Sequence, residues 1–296
     1  MPDKPRILVT GASGYLGPYL CLKLAARKDS EIISLYNSNP PPVKNTKNIK
    51  CDLTDFTALE KIFSAISPSI VYHLASVTPT RMRGREYDYV KYFNCDVTKK
   101  ISELCIRHNS LLVYTSTDLV YNEGENLNEK SPLNPLTIYA KTKLLGENEV
   151  ISSGAKYIIT RISLVYGFTL SAYTSFFDTA YHRLKNGEQV QAFTDQFRNP
   201  LYTEDAAEIL SELPQKYKSN DIINLCGDEY ISRFTMCRLM AEEYGLNGDL
   251  VIPCSCDDFT QYTMVKRLGL DNSRLKSYGF KTDSYTANLK IARRYM

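Results

Sequence analysis

A phenol and an ammonium four residues apart, Tyr139 and Lys143, follow a hydroxyl at Thr117 in a chain that opens Gly11-Ala12-Ser13-Gly14-Tyr15-Leu16-Gly17. On a helix, positions four apart lie on one face. Tyr139 and Lys143 can therefore address one small volume. A free tyrosine titrates near about pH 10, too high for ready proton exchange at neutral pH, and a cation a few ångströms away stabilises the phenolate. Lys143 is expected to supply that cation and lower the Tyr139 pKa. With Thr117 donating a hydrogen bond to a carbonyl oxygen, Tyr139 can protonate that oxygen as hydride reaches the carbon. A lone Tyr-x-x-x-Lys is ordinarily a solvated helix face, so the flanking motifs must carry the distinction.

The first of these is the glycine-rich turn. Gly11, Gly14 and Gly17 sit between a predicted strand and a predicted helix, the context in which backbone approaches a pyrophosphate and a helix N-terminus faces its charge. The pattern predicts a dinucleotide site built from Gly11, Ser13, Gly14, Tyr15, Leu16 and Gly17. At the end of the second strand, where an acid often meets the adenosine ribose, the chain reads Tyr36-Asn37-Ser38-Asn39. Asn37 and Ser38 can hydrogen-bond to a 2′-phosphate and no carboxylate repels it, so NADP is favoured, with NAD the alternative. Asp52-Leu53 suits an adenine amino group, or else Asp52 caps the helix that follows. Leu74, Ala75 and Ser76 end the fourth strand in a segment where small residues let the cofactor lie close to backbone. Asn94, on a predicted helix, is expected to hold a polar network behind the site, because a buried amide is unfavourable without partners.

These residues need a scaffold that gathers them. The first half alternates apolar runs with helical segments, the pattern of a parallel sheet covered on both faces. Strands are predicted at Arg6–Thr10, Glu31–Tyr36, Ile49–Asp52, Ile70–Leu74, Leu111–Thr115 and Tyr157–Ser163. Helices are predicted at Tyr15–Lys28, Phe56–Ser67, Val90–Arg107 and Tyr139–Ser152, and further on at Thr174–Lys185, Thr203–Glu212 and Ser232–Tyr244 with Ser232 as N-cap. The fold class expected is α/β, a doubly wound parallel sheet of Rossmann type with a smaller C-terminal substrate-binding lobe. The expected division is 1–165 with 201–227 for the NAD(P)-binding domain, and 166–200 with 228–296 for the lobe. Ligands in such sheets bind outside the carboxyl ends of the strands, which is where Thr10, Asp52, Leu74 and Thr115 fall.

A formal net charge of +3 over 296 residues, with no long basic run, does not suggest nucleic acid, and no nucleic-acid partner is expected. No segment is long and apolar enough to span a bilayer, and the chain is expected to be cytoplasmic. Eight cysteines, mostly scattered singly, and three histidines distant from the Cys254-Ser255-Cys256 pair give no metal-ligand spacing, so no metal is expected.

With these residues placed, the chain resembles the extended short-chain dehydrogenase/reductase superfamily over essentially its whole length. Within it, the likeness is greatest to the dTDP-4-dehydrorhamnose reductase family. It is carried by Thr10-Gly11-Ala12-Ser13-Gly14-Tyr15-Leu16-Gly17, Tyr114-Thr115-Ser116-Thr117-Asp118-Leu119-Val120-Tyr121 and Tyr139-Ala140-Lys141-Thr142-Lys143-Leu144-Leu145-Gly146-Glu147. It continues through Arg161-Ile162-Ser163-Leu164-Val165-Tyr166-Gly167, Asn199-Pro200-Leu201-Tyr202-Thr203 and Leu270-Asp271-Asn272-Ser273-Arg274-Leu275. The resemblance implies Thr117, Tyr139 and Lys143 as the catalytic set, with Asn94 at the helper-asparagine position. It also implies NAD(P)H-dependent reduction of a 4-keto group on a nucleotide-linked deoxysugar, gripped by the smaller lobe. Thr78, Thr117 and Arg198 are the expected substrate contacts, Arg198 because a guanidinium fork suits phosphate. The three prolines after strand two and the Arg81, Arg83, Arg85 run depart from the reductases. That run is either a second diphosphate contact or a solvated basic loop. The same resemblance covers the regulatory beta subunit of methionine adenosyltransferase, a binding protein, and fold likeness alone does not separate catalyst from binder. A sugar-nucleotide epimerase is the other enzymatic alternative; dehydration is disfavoured because only one acid, Asp118, follows Thr117. A homodimer is left open.

Overall fold

In the computed structural model of this chain, the described residues are 4–78, 86–259 and 263–296. Among them, seven strands form one wholly parallel sheet: β1 (Arg6–Thr10), β2 (Glu31–Tyr36), β3 (Lys47–Lys50), β4 (Ile70–His73), β5 (Leu111–Thr117), β6 (Lys156–Ile162) and β7 (Asp221–Leu225). Their spatial order is β7-β6-β5-β4-β1-β2-β3. The chain winds outward in one direction from β1 to β3 and in the other from β4, so β1 and β4 flank the switch point where such sheets open a crevice.

The helices are α1 (Gly17–Arg27), α2 (Phe56–Ile66), α3 (Tyr87–Lys91), α4 (Val97–Arg107), α5 (Ile138–Ser152), α6 (Phe176–Lys185), α7 (Thr203–Glu212), α8 (Arg233–Tyr244), α9 (Ser273–Ser277) and α10 (Tyr285–Ala292). Alternate strand residues feed opposite cores. Ile7, Val9 and Val113 pack with Leu20 and Leu24 of α1 and Ile209 and Leu210 of α7, while Leu8, Leu112 and Tyr114 pack with Phe63, Leu104 and Val150 on the other face. Period-2 side chains buried on both sides explain why the strands read as continuous apolar runs. A third, more aromatic core joins Tyr166, Phe168, Phe177, Tyr181, Met240 and Tyr285 from the chain around α6, α8 and α10.

The doubly wound parallel sheet is as expected, and most elements match to within two residues. Three differences have local causes. β3 begins at Lys47 because it pairs from Ile33↔Lys47 onward. The single helix expected at Val90–Arg107 starts at Tyr87 and carries a π turn at Tyr92–Asp96. β7 is a strand the periodicity did not flag; it completes the sheet by pairing with β6 from Asp221↔Ile158 to Leu225↔Ile162. Ser232 caps α8 as expected, accepting from the Thr235 amide at 3.0 Å. No helix among the described residues is long and apolar enough to cross a membrane.

Candidate active site

The strand ends and helix starts enclose one cleft of about 1050 Å³, lined from the glycine-rich turn, past β4 and β5, to Gln196, Arg198 and Arg233. Its first wall depends on missing side chains. Gly11 has φ +68°, and a Cβ there would lie 2.6 Å from the Ala75 amide nitrogen. At Gly17 a Cβ would collide with the Gly11 and Ala12 backbone. Only glycine lets the turn after β1 close against the segment after β4. Tyr15 then reaches across, its hydroxyl donating to the Gly167 carbonyl at 2.5 Å. This is a cradle shaped for a dinucleotide: a glycine turn opening a helix, with Asn37, Asp52 and Leu53 along the far end of the cleft.

The reactive end lies where β5 meets the first turn of α5. Thr137 caps α5 by accepting from the Ala140 amide at 3.2 Å, which fixes the direction in which the next residues enter the cleft. The phenol of Tyr139 faces the side chains of Ser76 and Thr117 in the cleft. Burial dominates its acidity and pushes it up to about 12, against the pull of Ser76 and Thr117 and with added repulsion from Asp118. Thr117 donates to Asp118 Oδ1 at 3.1 Å, and Ser163 donates to Asp118 Oδ2 at 3.2 Å. Burial raises the Asp118 pKa, opposed by Arg198.

Lys143 occupies a different place from the one expected. It is 2% exposed, does not line the cleft, and its Nζ lies 4.0 Å from the centre of the Tyr114 ring. Burial lowers its pKa to about 7, only partly offset by the Glu147 carboxylate. In the protein alone it is therefore not a fixed cation, and Tyr139 rises where the sequence predicted a fall. The physical reason is desolvation: Lys143 and Tyr139 are both in low-dielectric surroundings, which disfavour the charged form of each. Glu147 itself is bound to Arg161, whose Nη2 lies 2.8 Å from Glu147 Oε2.

Asn94 performs the network role read from the sequence. It is 1% exposed on the π turn; its Oδ1 accepts from the Val77 amide at 2.8 Å, and its Nδ2 donates to the Val77 carbonyl at 3.2 Å and to Thr142 Oγ1 at 3.0 Å. It thus ties the 74–78 rim to α5 just behind Tyr139. The π turn, a device frequent at functional sites, sets this amide within the ladder of contacts. Beneath it, His73 sits between Thr10 and Thr98, and burial drives its pKa to about 3, so its imidazole stays neutral.

A family model for the RmlD substrate binding domain matches residues 5–293. The chain belongs to this family. Among curated relatives of this RmlD-family chain is the dTDP-4-dehydrorhamnose reductase of Aggregatibacter actinomycetemcomitans, 27% identical over 98% of this chain and 99% of the relative. Another is methionine adenosyltransferase 2 subunit beta of Bos taurus, 24% identical over 93% and 82%. The fold is shared with the crystal structure of dTDP-4-dehydrorhamnose reductase from Bacillus anthracis strain Ames in complex with NADP, at a TM-score of 0.86 and 22% identity, covering 99% and 100% of the two chains.

Within this RmlD-family cleft, the structure brings together Gly11, Ser13, Gly14, Tyr15, Leu16, Gly17, Asn37, Asp52, Leu53, Leu74, Ala75, Ser76, Thr78, Thr117, Tyr139 and Arg198. Ser38 is exposed and outside the lining, because the strand has already turned to solvent there. Asp52 is not the helix cap. Its Oδ1 accepts from the Thr54 amide and hydroxyl at 2.9 and 2.7 Å, whereas Asp55 caps α2. Arg198 lines the cleft but spends its fork on backbone: Nη1 on the Phe197 and Lys266 carbonyls at 2.7 and 3.2 Å, and Nη2 on Val265 at 2.7 Å. Arg81, Arg83 and Arg85 lie outside the described residues. Sequence reasoning missed Ser116, a cleft hydroxyl with no hydrogen-bond partner among the described residues, although its position beside Thr117 at the end of a strand was the signal. It also missed Arg233, which follows a residue correctly read as a helix cap. Among the described residues, no His, Cys, Asp and Glu cluster could hold a metal.

Proposed function

We propose that this chain is an NADPH-dependent reductase of a keto group on a nucleotide-activated deoxysugar, with NADH as the alternative donor. The observation that carries this reading is the Tyr139 phenol held beside Thr117 and Ser76 in a cleft continuous with the glycine cradle. The relative named dTDP-4-dehydrorhamnose reductase supports the substrate class. The cradle's close approach of Gly11 to Ala75, and the unpartnered Ser116 hydroxyl, fit a dinucleotide lying along β1, β4 and β5. Bound there, a reduced nicotinamide would supply hydride.

The chain's own groups then handle oxygen. Thr117 Oγ1 would turn its proton from Asp118 to the substrate carbonyl and polarise it, while Tyr139 Oη delivers its proton to that oxygen as negative charge builds there. A phenol held near 12 is fully protonated at neutral pH, which suits it to the acid role in the reductive direction. Lys143 titrates near 7, and a ligand that brings negative charge near its amine would raise its pKa and restore the cation. Asn94 holds the 74–78 rim in register with α5. The sheet domain, 1–165 with 201–227, would hold the cofactor, and the lobe, 166–200 with 228–296, would hold the nucleotide sugar; a homodimer belongs to the same reading.

The test is to incubate purified protein and NADPH with a panel of nucleotide 4-ketosugars and follow loss of NADPH absorbance. Oxidation with one or more of them is the expected result. The methionine adenosyltransferase beta-subunit relative favours a second reading, a cofactor-binding regulatory subunit. Tight NADPH binding with no turnover across the panel would select it.

A further inference from the structure

The sequence singled out Arg198 as the phosphate contact, yet the structure leaves a different guanidinium free. Arg233 opens α8 and lines the same cleft wall. Its Nε donates to Gln196 Oε1 at 3.1 Å, and its guanidinium carbon lies 4.8 Å from the centre of the Phe176 ring. One edge is thus pinned and one face is stacked. The two terminal nitrogens have no acceptor among the described residues, and no carboxylate there forms an ion pair with them.

Arg198 lies on the same wall and adds a second positive charge. Among the described residues the carboxylate in ion-pair contact with this pair is Asp118, whose Oδ2 is 3.9 Å from Arg198 Nε and which also serves Thr117 and Ser163; Glu123 acts on Arg198 from farther off. Two guanidinium groups with one carboxylate in contact leave Arg233 without a paired anion. Charge withdrawn from water without a partner is strongly unfavourable. The repulsion is visible at Arg233, whose pKa is lowered to about 10 by burial and then by Arg198. Such a wall is stabilised by an anion.

We propose that the Arg233 fork holds the diphosphate of the nucleotide sugar, with Arg198 as the fixed charge behind it. The proposal rests on the nucleotide-sugar reading above and names the group that grips its anionic part. A planar fork with both terminal nitrogens presented suits two phosphate oxygens at once, and pinning by Gln196 and Phe176 reduces the ordering needed on binding. The doubled positive field favours a diphosphate over a singly charged ligand.

The test is calorimetric titration of dTDP, UDP, thymidine and uridine into the full chain loaded with NADPH, for the parent, R233Q and R233K. R233Q should weaken nucleoside diphosphate binding by about 10- to 100-fold, the range for hydrogen bonds to charged groups. NADPH affinity and nucleoside binding should stay at parent values. R233K keeps the charge, loses the fork and should fall between; with a parent-like melting curve it also guards against a loss caused by misfolding. Equal binding of dTDP and UDP by the parent and a folded R233Q would overturn the proposal and leave the nucleotide-sugar reading standing. A parent that binds neither nucleotide would remove that reading, and this proposal with it.

Discussion

Lys143→Met removes an amine that burial holds down to about 7 from the 10.5 of a free lysine. Between those values the unfolded chain keeps a proton that the folded chain has lost. Parent stability should therefore climb as pH rises through that window, and the penalty should be full below it. At 1.36 kcal/mol per pH unit, the protonated amine destabilises the fold by about 5 kcal/mol. Methionine keeps the stem and does not titrate, although the contact with the Tyr114 ring, worth about 1 kcal/mol, is lost. The variant should thus be more stable by about 4 kcal/mol near pH 6, with the advantage gone by about pH 10. Urea unfolding of the two ligand-free proteins across that range measures it. A difference that stays constant with pH would refute the reasoning, because the amine would then not be desolvated. Turnover by the variant should be abolished at every pH. A destabilising amine kept buried one helical turn from a reactive phenol is the signature expected of a group retained for function.

Tyr139→Phe deletes the transferable proton and keeps the ring; turnover should fall by about 10²–10⁴-fold, the range for general acid catalysis, while NADPH affinity measured by fluorescence is unchanged. Arg198→Ala strands three backbone carbonyls and the Asp118 carboxylate in a buried wall, so unfolding should show a loss of about 3–5 kcal/mol, the range for breaking a buried pair; unchanged stability would mean the guanidinium is not committed to the 265–266 backbone. Gly11→Ala puts a methyl 2.6 Å from the Ala75 nitrogen and forces a left-handed residue, a penalty of roughly 1–2 kcal/mol before the clash is counted, so NADPH should bind more weakly in a fluorescence titration; parent affinity would show that the turn is not a cofactor cradle.

What the sequence revealed follows from which forces are local. β1, β2 and α7 were readable to the residue because apolar periodicity and the turn residues at their ends are properties of consecutive positions. β7 was not. Asp221-Ile222-Ile223-Asn224-Leu225 is a strand because β6 offers an open edge, and the Asn224 side chain is satisfied by the Tyr121 hydroxyl and the Leu127 and Asp271 carbonyls that converge on it. The π turn is likewise invisible to periodicity, since its purpose is to place Asn94 between Val77 and Thr142, each on another element.

The same distinction decides the candidate site. Types and spacing marked Thr117, Tyr139 and the glycine turn, where the chemistry is local to a strand end or a helix face. They misjudged the charge state of Lys143, because its pKa reflects the solvent excluded by several elements at once. They also favoured Arg198 over Arg233. In sequence both are arginines beside well-read punctuation, Asn199-Pro200 in one case and the Ser232 cap in the other. Whether a fork is free depends on backbone arriving from elsewhere. The carbonyls of Val265 and Lys266, more than sixty residues away in the chain, occupy Arg198, while Gln196 takes only the Nε of Arg233 and leaves the terminal nitrogens to the cleft. A residue's type sets what it can bind, and only the fold determines what it has left to bind with.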